Sequence, residues 1–278
     1  MYARPTTIEE AARAMAVDGA MAVCGGTDVY PAHVGKPLVR PLVDLSRVAG
    51  LRGITQTTGG FRIGAATTWS DIAHAPLPPA FDGLRAAARE VGSVQIQNRG
   101  TIAGNLCNAS PAADGVPPLL SLDAGVELVS AAGRRVLPLS SFIIGYRRTA
   151  LAPGEIVTMV VVPKPAPAAR SAFVKLGVRR YLVISILMAA ALVERDAQGR
   201  IARAAVAVGA ASPVAQRLTE LEAELQGLAA QKKPSSLLAP RHLSGLAPID
   251  DLRATAAYRL EAALAAVGEA LDQAAGVA

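Results

Sequence analysis

Between positions 91 and 114 the chain reads VGSVQIQNRGTIAGNLCNASPAAD, and few folds can absorb such a stretch. Gly92, Gly100 and Gly104 punctuate it, and Gln95, Gln97, Asn98, Arg99, Thr101, Asn105, Asn108, Ser110 and Asp114 leave little apolar material to bury. Glycine costs backbone entropy, and Asn and Ser compete for backbone hydrogen bonds, so the segment predicts a poor strand and a worse helix. Its physical use is to bring main-chain N–H groups against something polar and extended, such as a diphosphate. A second loop of this kind, VCGGTDVYP, occupies residues 23–31. Two such loops suggest one large polar ligand gripped from two sides.

With 278 residues, 51% of them hydrophobic, the chain has material for two domains and a sizeable core. The formal charge is +6, from 28 Lys and Arg against 22 Asp and Glu, and the cations are dispersed. Nucleic-acid binding normally needs a stripe or cluster of them, which argues against that class. The two cysteines, Cys24 and Cys107, lie inside the glycine loops. Two thiols do not complete an iron–sulfur ligand set, there is no CxxC spacing for zinc, and small thiols filling tight turns is the simpler reading. No apolar run reaches the ~18 residues of a membrane span, the longest beginning at Tyr181 and Ala202. The N-terminus has no hydrophobic signal core. The expectation is a soluble, cytoplasmic protein with no metal ligands of its own.

Thr7 and Glu10 form a capping box for a first helix, and residues 20–24 form a strand running into the first glycine loop. Residues 37–44 read as a second strand, and 51–55 with 61–63 as a hairpin about Gly59 and Gly60. Helices are expected near 67–72, 80–91 and 117–124, and a strand pair at 126–130 and 135–139. The proline cluster beginning at Pro163 marks a boundary. Beyond it come strands near 171–177, 182–194 and 201–208, an amphipathic helix at 213–225, a solvated linker at 232–236 and a long helix at 250–274. The fold class is α+β. Two α/β lobes, roughly 1–50 and 51–165, are followed at 166–278 by an antiparallel sheet with helices segregated to one side.

No P-loop, GxGxxG, HExxH or GxSxG pattern is present, and His33, His74 and His242 are scattered. No catalytic side chain stands out. A cofactor enzyme fits better, because the cofactor carries the difficult chemistry while the protein binds and orients it. Thr27 and Asp28 read equally as turn formers and helix caps or as the approach to a phosphate. Asp114 reads as a loop cap or as an acceptor for ribose or adenine donors.

These loops closely resemble those of the FAD-binding medium subunits of the molybdenum hydroxylases, which include the flavin subunits of carbon monoxide and xanthine dehydrogenases. Residues 24–28, CGGTD, resemble the family's AGGTD, and TIAGN at 101–105 with ASPAAD at 109–114 resembles TIGGN…ASPxxD. IGAATT at 63–68, LDA at 122–124, GEIV at 154–157, Lys175 with Arg179 and Arg180, and PIDDLRATAAYR at 248–259 resemble further signatures in the right order. The resemblance implies FAD in this chain. The pyrophosphate would be held by Val23, Cys24, Gly25, Gly26, Thr27, Asp28, Val29 and Tyr30 and by Thr101, Ile102, Ala103, Gly104 and Asn105, largely through backbone N–H groups. It implies Ser110 and Asp114 at the ribityl or ribose region, Val157 near the adenine, Lys175 near the flavin, and Val91 and Ile102 as apolar walls.

By the same resemblance, molybdopterin and [2Fe–2S] clusters belong to a large and a small partner subunit. Electrons pass from those clusters to FAD and on to NAD, oxygen or another acceptor. Three departures stand out. Ala103 replaces a glycine of TIGGN, Gln97 stands where an arginine is frequent, and two cysteines do not supply the [4Fe–4S] insertion of hydroxybenzoyl-CoA reductases. Two alternatives stay open: a self-sufficient FAD oxidoreductase of the related flavin fold, and a flavin-free structural subunit.

Overall fold

The computed structural model describes residues 1–180 and 182–277. Tyr181, where the longest apolar run begins, and the final residue Ala278 lie outside the described residues. The chain divides into two compact units, and it passes between them repeatedly. One unit comprises residues 1–72, 94–109 and 124–164, the other 73–93, 110–123 and 165–278. The proline cluster is one of the crossings.

The first unit holds two sheets. Helix Ile8–Met15 begins at Thr7, whose hydroxyl accepts from the Glu10 amide at 3.2 Å while Glu10 accepts from the Thr7 amide at 3.3 Å. This reciprocal cap contributes about 1 kcal/mol. Strands Tyr2–Ala3, Leu42–Asp44 and Met21–Val23 form a parallel three-stranded sheet with Leu42–Asp44 in the centre. Only 42–44 of the expected strand at 37–44 is extended in a ladder, because Pro37 and Pro41 have no N–H to donate. The second sheet is antiparallel, in the order Ile54–Thr57, Gly60–Gly64, Ile156–Pro163, Gly125–Ser130, Gly133–Pro138. Glu127 is buried within it, taking hydrogen bonds from Thr158 Oγ1 at 2.7 Å and Arg62 Nη2 at 2.9 Å.

In the second unit, strands Arg170–Leu176, Leu187–Arg195, Ile201–Gly209 and Gln216–Arg217 form an antiparallel sheet. Its central strand reads LMAAALV without a polar interruption, and all seven residues are buried. Leu187, Ala189, Ala191 and Val193 pack in one cluster with Ala263, Val267 and Leu271 of helix Ala256–Ala275. Met188 and Ala190 pack on the other face with Ala87 of helix Asp82–Glu90. The C-terminal helices lie on one side of the sheet, as expected, and the other side is covered as well. Segments from the N-terminal half cover the second face, and a strand buried on both faces reads as a continuous apolar run.

Three further expectations shift. The amphipathic helix spans Thr219–Leu225, because residues 216–217 pair with strand Ile201–Gly209. The long helix starts at Ala256, capped by the Thr255 hydroxyl on the Tyr258 amide at 3.2 Å. The linker at 232–236 is not simply solvated. Pro234 is buried, and Ser235 bonds Asp272 of the long helix through its amide at 3.1 Å and its hydroxyl at 2.7 Å.

Arg259 was expected only as part of a C-terminal signature. It is a buried staple, donating to the carbonyls of Ile186 and Ala210 and to Asp251 Oδ1 at 2.8 Å.

Candidate functional site

The first glycine loop leaves strand Met21–Val23 and turns at Gly26, whose φ of +72° is open to glycine at little cost. Among the described residues, the amides of Gly25, Gly26, Thr27, Asp28 and Val29 donate to no group of the chain. The next internal bond is from the Tyr30 amide to the Gly26 carbonyl at 3.1 Å. Neither Thr27 nor Asp28 caps a helix: Tyr30 precedes the three-residue 3₁₀ turn Pro31–His33, without a side-chain cap. Asp28 Oδ1 instead accepts from Asn108 Nδ2 at 3.1 Å, and Asn108 Oδ1 accepts from Arg147 Nη1 at 2.7 Å. The carboxylate is tied to Asn108, and five consecutive N–H groups remain available.

The second segment lies directly against this loop. A Cβ on Gly25 would stand 2.1 Å from the Arg99 carbonyl oxygen, and one on Gly100 would stand 3.4 Å from Thr27 Oγ1. Two backbones approach there as closely as glycine allows.

The expectation that residues 91–114 avoid helix is overturned. Val94–Gln97 makes one helical turn, and Ile102–Asn108 makes a helix ended by Ala109 in the left-handed conformation, φ +46°. The apolar residues Ile102, Ala103 and Leu106 are all buried, and this packing outweighs the poor propensity of Gly104, Asn105 and Asn108. The helix also uses its first amides internally. Ile102 donates to the Thr67 carbonyl at 3.0 Å, Ala103 to Ala65 at 3.3 Å, Gly104 to Thr101 Oγ1 at 3.1 Å and Asn105 to the Thr101 carbonyl at 3.0 Å. The motif at 63–68 thus docks the second segment. What this segment presents is the exposed, side-chain-free Gly104 and the Asn105 Oδ1 atom, buried without a hydrogen-bond partner. Ala103 keeps a negative φ and turns a buried methyl inward. Ile102 is fully buried, and so, nearly, is Val157 on strand Ile156–Pro163.

The second unit carries its own constellation. Asp114, only 7% exposed, pairs through Oδ2 with Lys175 Nζ at 2.7 Å and accepts from Ser185 Oγ at Oδ1 at 2.6 Å. Lys175 Nζ also donates to the Glu90 carbonyl at 2.9 Å. Burial pushes the Asp114 carboxyl upward, and the ammonium and hydroxyl pull against that push. Sequence reasoning placed Asp114 and Lys175 separately and missed Ser185. A lone serine inside the apolar run 182–193 was the available signal, since a buried hydroxyl needs a partner. Ser110 closes a local turn, accepting from the Ala112 amide at 3.2 Å. Lys175 and Glu90 also line a cavity of about 760 Å³ with Arg89, Phe173, Arg179 and Arg180.

Glu220, Glu224 and His242 bring three ligand-type atoms within 4.8 Å of one another. The Ala239 amide donates to His242 Nδ1 at 3.0 Å, which puts the imidazole proton on Nε2 and leaves no lone pair toward the carboxylates. Arg241 Nη2 already holds Glu224 at 2.8 Å, so this cluster does not suit a cation. Cys24 and Cys107 are free thiols.

Residues 1–165 match the family described as the FAD binding domain in molybdopterin dehydrogenase, and residues 172–274 match the CO dehydrogenase flavoprotein C-terminal domain. The chain belongs to the FAD-binding medium subunits of the molybdenum hydroxylases. It is 31% identical over 264 residues to the xanthine dehydrogenase FAD-binding subunit of Escherichia coli O157:H7, covering 93% of this chain and 90% of that one. The carbon monoxide dehydrogenase medium chain of Hydrogenophaga pseudoflava is 29% identical over 84% of this chain and 81% of its own length. Among solved structures, a chain of a Cu,Mo-CO dehydrogenase superposes with a TM-score of 0.90 at 26% identity, covering 100% of this chain and 98% of that chain.

Membership makes this chain an FAD-binding oxidoreductase subunit, which removes the flavin-free alternative. The residues of the first unit fit a diphosphate-bearing cofactor: open amides, a bare glycine surface and, among the described residues, an unpartnered buried carbonyl oxygen. No helix among the described residues is long and apolar enough to cross a membrane.

Proposed function

We propose that this chain is the electron-transfer subunit of a heterotrimeric molybdenum hydroxylase. It would take electrons from the [2Fe–2S] clusters of a small subunit, whose source is a large molybdopterin subunit, and pass them to NAD or another acceptor such as oxygen. The observation that carries this reading is the run of five unpaired amides from Gly25 to Val29, held against the backbone of Arg99 and Gly100. Unpaired donors fixed in one loop are a preorganised anion cradle, and FAD brings a diphosphate.

Bound FAD would supply the two-electron and one-electron chemistry. The chain's residues bind and orient. Residues 23–30 would hold the diphosphate by backbone donors, with Asn108 keeping the Asp28 carboxylate on its own partner. Gly104 would permit close approach, and Asn105 Oδ1 would accept a hydrogen bond. Thr101, Ile102, Ala103 and Val157 would support the site from behind. On the second unit, Asp114 and Lys175, with Ser110 near them in sequence, would meet the polar chain and flavin end.

The test is the absorption spectrum of the purified chain, with identification of the released flavin. Oxidised-flavin bands and release of FAD rather than FMN are expected, and the bands should bleach when the reduced small subunit is added and return with NAD or oxygen. A folded chain that stays colourless in excess FAD would defeat the proposal. Reduction by an organic donor without partners would instead favour the self-sufficient oxidoreductase.

A further inference from the structure

Ser185 has no role in the motifs that mark the family, yet among the described residues it is one of two side chains that bond the buried Asp114 carboxylate. It is fully buried, and its hydroxyl donates its single proton to Oδ1 at 2.6 Å while Lys175 takes Oδ2 at 2.7 Å. The two donors approach different oxygens, so the carboxylate cannot rotate without breaking one of them. A carboxylate withdrawn from water stays ionised only when paired and hydrogen-bonded, and a donor to the charged form favours that form. Lys175 is shared with the Glu90 carbonyl, so among the described residues Ser185 is the donor committed to Asp114 alone.

The serine backbone is fixed from its neighbour. The Ile186 amide donates to the Leu176 carbonyl at 2.8 Å, and the Ile186 carbonyl accepts from the buried Arg259. The C-terminal signature arginine therefore clamps the residue after Ser185, and the hydroxyl reaches Asp114 from a backbone held on both sides of Ile186. Among the described residues, the charged groups facing Asp114 are Lys175 on strand Arg170–Leu176 and Glu90 at the end of helix Asp82–Glu90.

We propose that Ser185 is a positioning residue that holds Asp114 ionised and locked to Lys175, so that the ion pair is formed before FAD arrives. This rests on the reading of Asp114 and Lys175 as the cofactor-facing pair. A preformed pair spares FAD the cost of ordering it, which appears as affinity.

The experiment compares the full chain with S185A and S185T in two measurements. The first follows the Asp114 carboxyl by isotope-edited infrared titration of the flavin-free protein, with D114N to assign the band. S185A is expected to move its midpoint upward, and S185T, which keeps a hydroxyl, to restore it. The second is FAD titration by fluorescence quenching, where loss of a charge-assisted hydrogen bond is expected to weaken binding about tenfold in S185A and not in S185T.

An unmoved carboxyl midpoint, or S185A binding FAD as the parent does, would overturn the inference. A parent chain that binds no FAD would overturn the proposed function instead, and the infrared result would still judge whether Ser185 holds Asp114. Should S185A fail to fold, S185T and S185V give the same comparison, since they match in shape and differ in the hydroxyl.

Discussion

The two glycine segments of the first unit have similar compositions and opposite backbones. In the loop after strand Met21–Val23, five successive amides have no partner among the described residues. In the segment from Thr101, four successive amides are spent on Thr67, Ala65 and Thr101. Glycine content does not decide which outcome a segment reaches. Ile102, Ala103 and Leu106 supply a buried face that pulls the second segment into a helix. Beyond its glycines the first has Val29 and the exposed Tyr30 as large apolar side chains, too few to form the buried face of a helix. A run of open amides is what remains when a polar loop has too little apolar surface to fold upon itself.

The sharpest way to break this comparison is Gly25→Ala. The added methyl would meet the Arg99 carbonyl oxygen, a backbone atom that cannot swing aside. Overpacking there is expected to cost about 3 kcal/mol of stability and about a hundredfold in FAD affinity, read by denaturant unfolding and flavin titration. Unchanged affinity would show that the loops need not touch to grip the cofactor. Gly26→Ala is expected to cost about 1–2 kcal/mol, from its left-handed φ and the crowding of the Tyr30 ring.

Thr101→Val tests the other side. It removes the acceptor of the Gly104 amide and is expected to cost about 1 kcal/mol by thermal unfolding, while FAD affinity changes less than about fivefold. A collapse of affinity without a loss of stability would mean that the second segment's amides serve the ligand after all.

Glu127→Gln checks that such effects are local. Burial alone would raise this carboxyl, but the bonds from Arg62 and Thr158 and the nearby Arg134 outweigh it and hold it below its ordinary value. A folded value below the unfolded one contributes stability above about pH 4.5, and that contribution is lost as pH falls through the folded value. The variant is therefore expected to lose about 1 kcal/mol or less at pH 7, since Arg62 is partly exposed, and to show a shallower acid limb below pH 4.5. Its FAD affinity should match the parent's.

Much of the fold was legible because its signals are local. The Thr7–Glu10 box, the turn at Gly59 and Gly60 and the apolar central strand each declare themselves within ten residues. The loops could also be found, since small and polar residues leave no other use for them. The helix at Ile102–Asn108 was hidden because the buried Ile102, Ala103 and Leu106 outvote Gly104, Asn105 and Asn108, and burial is a tertiary fact. The Asp114–Lys175–Ser185 set was hidden for a related reason. Asp114 lies 61 and 71 positions from its two donors, and only the finished fold places both on one carboxylate. The helices covering the second face of the C-terminal sheet come from far upstream, and no local pattern assigns them there.

The interleaving of the two units has a consequence for how the chain is made and dissected. Helix Asp82–Glu90 leaves the ribosome long before the strand it must cover, Arg170–Leu176. Ser171 of that strand donates to the Ala80 carbonyl and accepts from the Gly83 amide, contacts that exist only once both are synthesised. The early segment must therefore wait, shielded or exposed, for its sheet. For the same reason, cutting at the proline cluster does not release an autonomous C-terminal domain. The downstream fragment lacks helix Asp82–Glu90 and Asp114, and with them one face of its core and the counter-ion of its buried lysine.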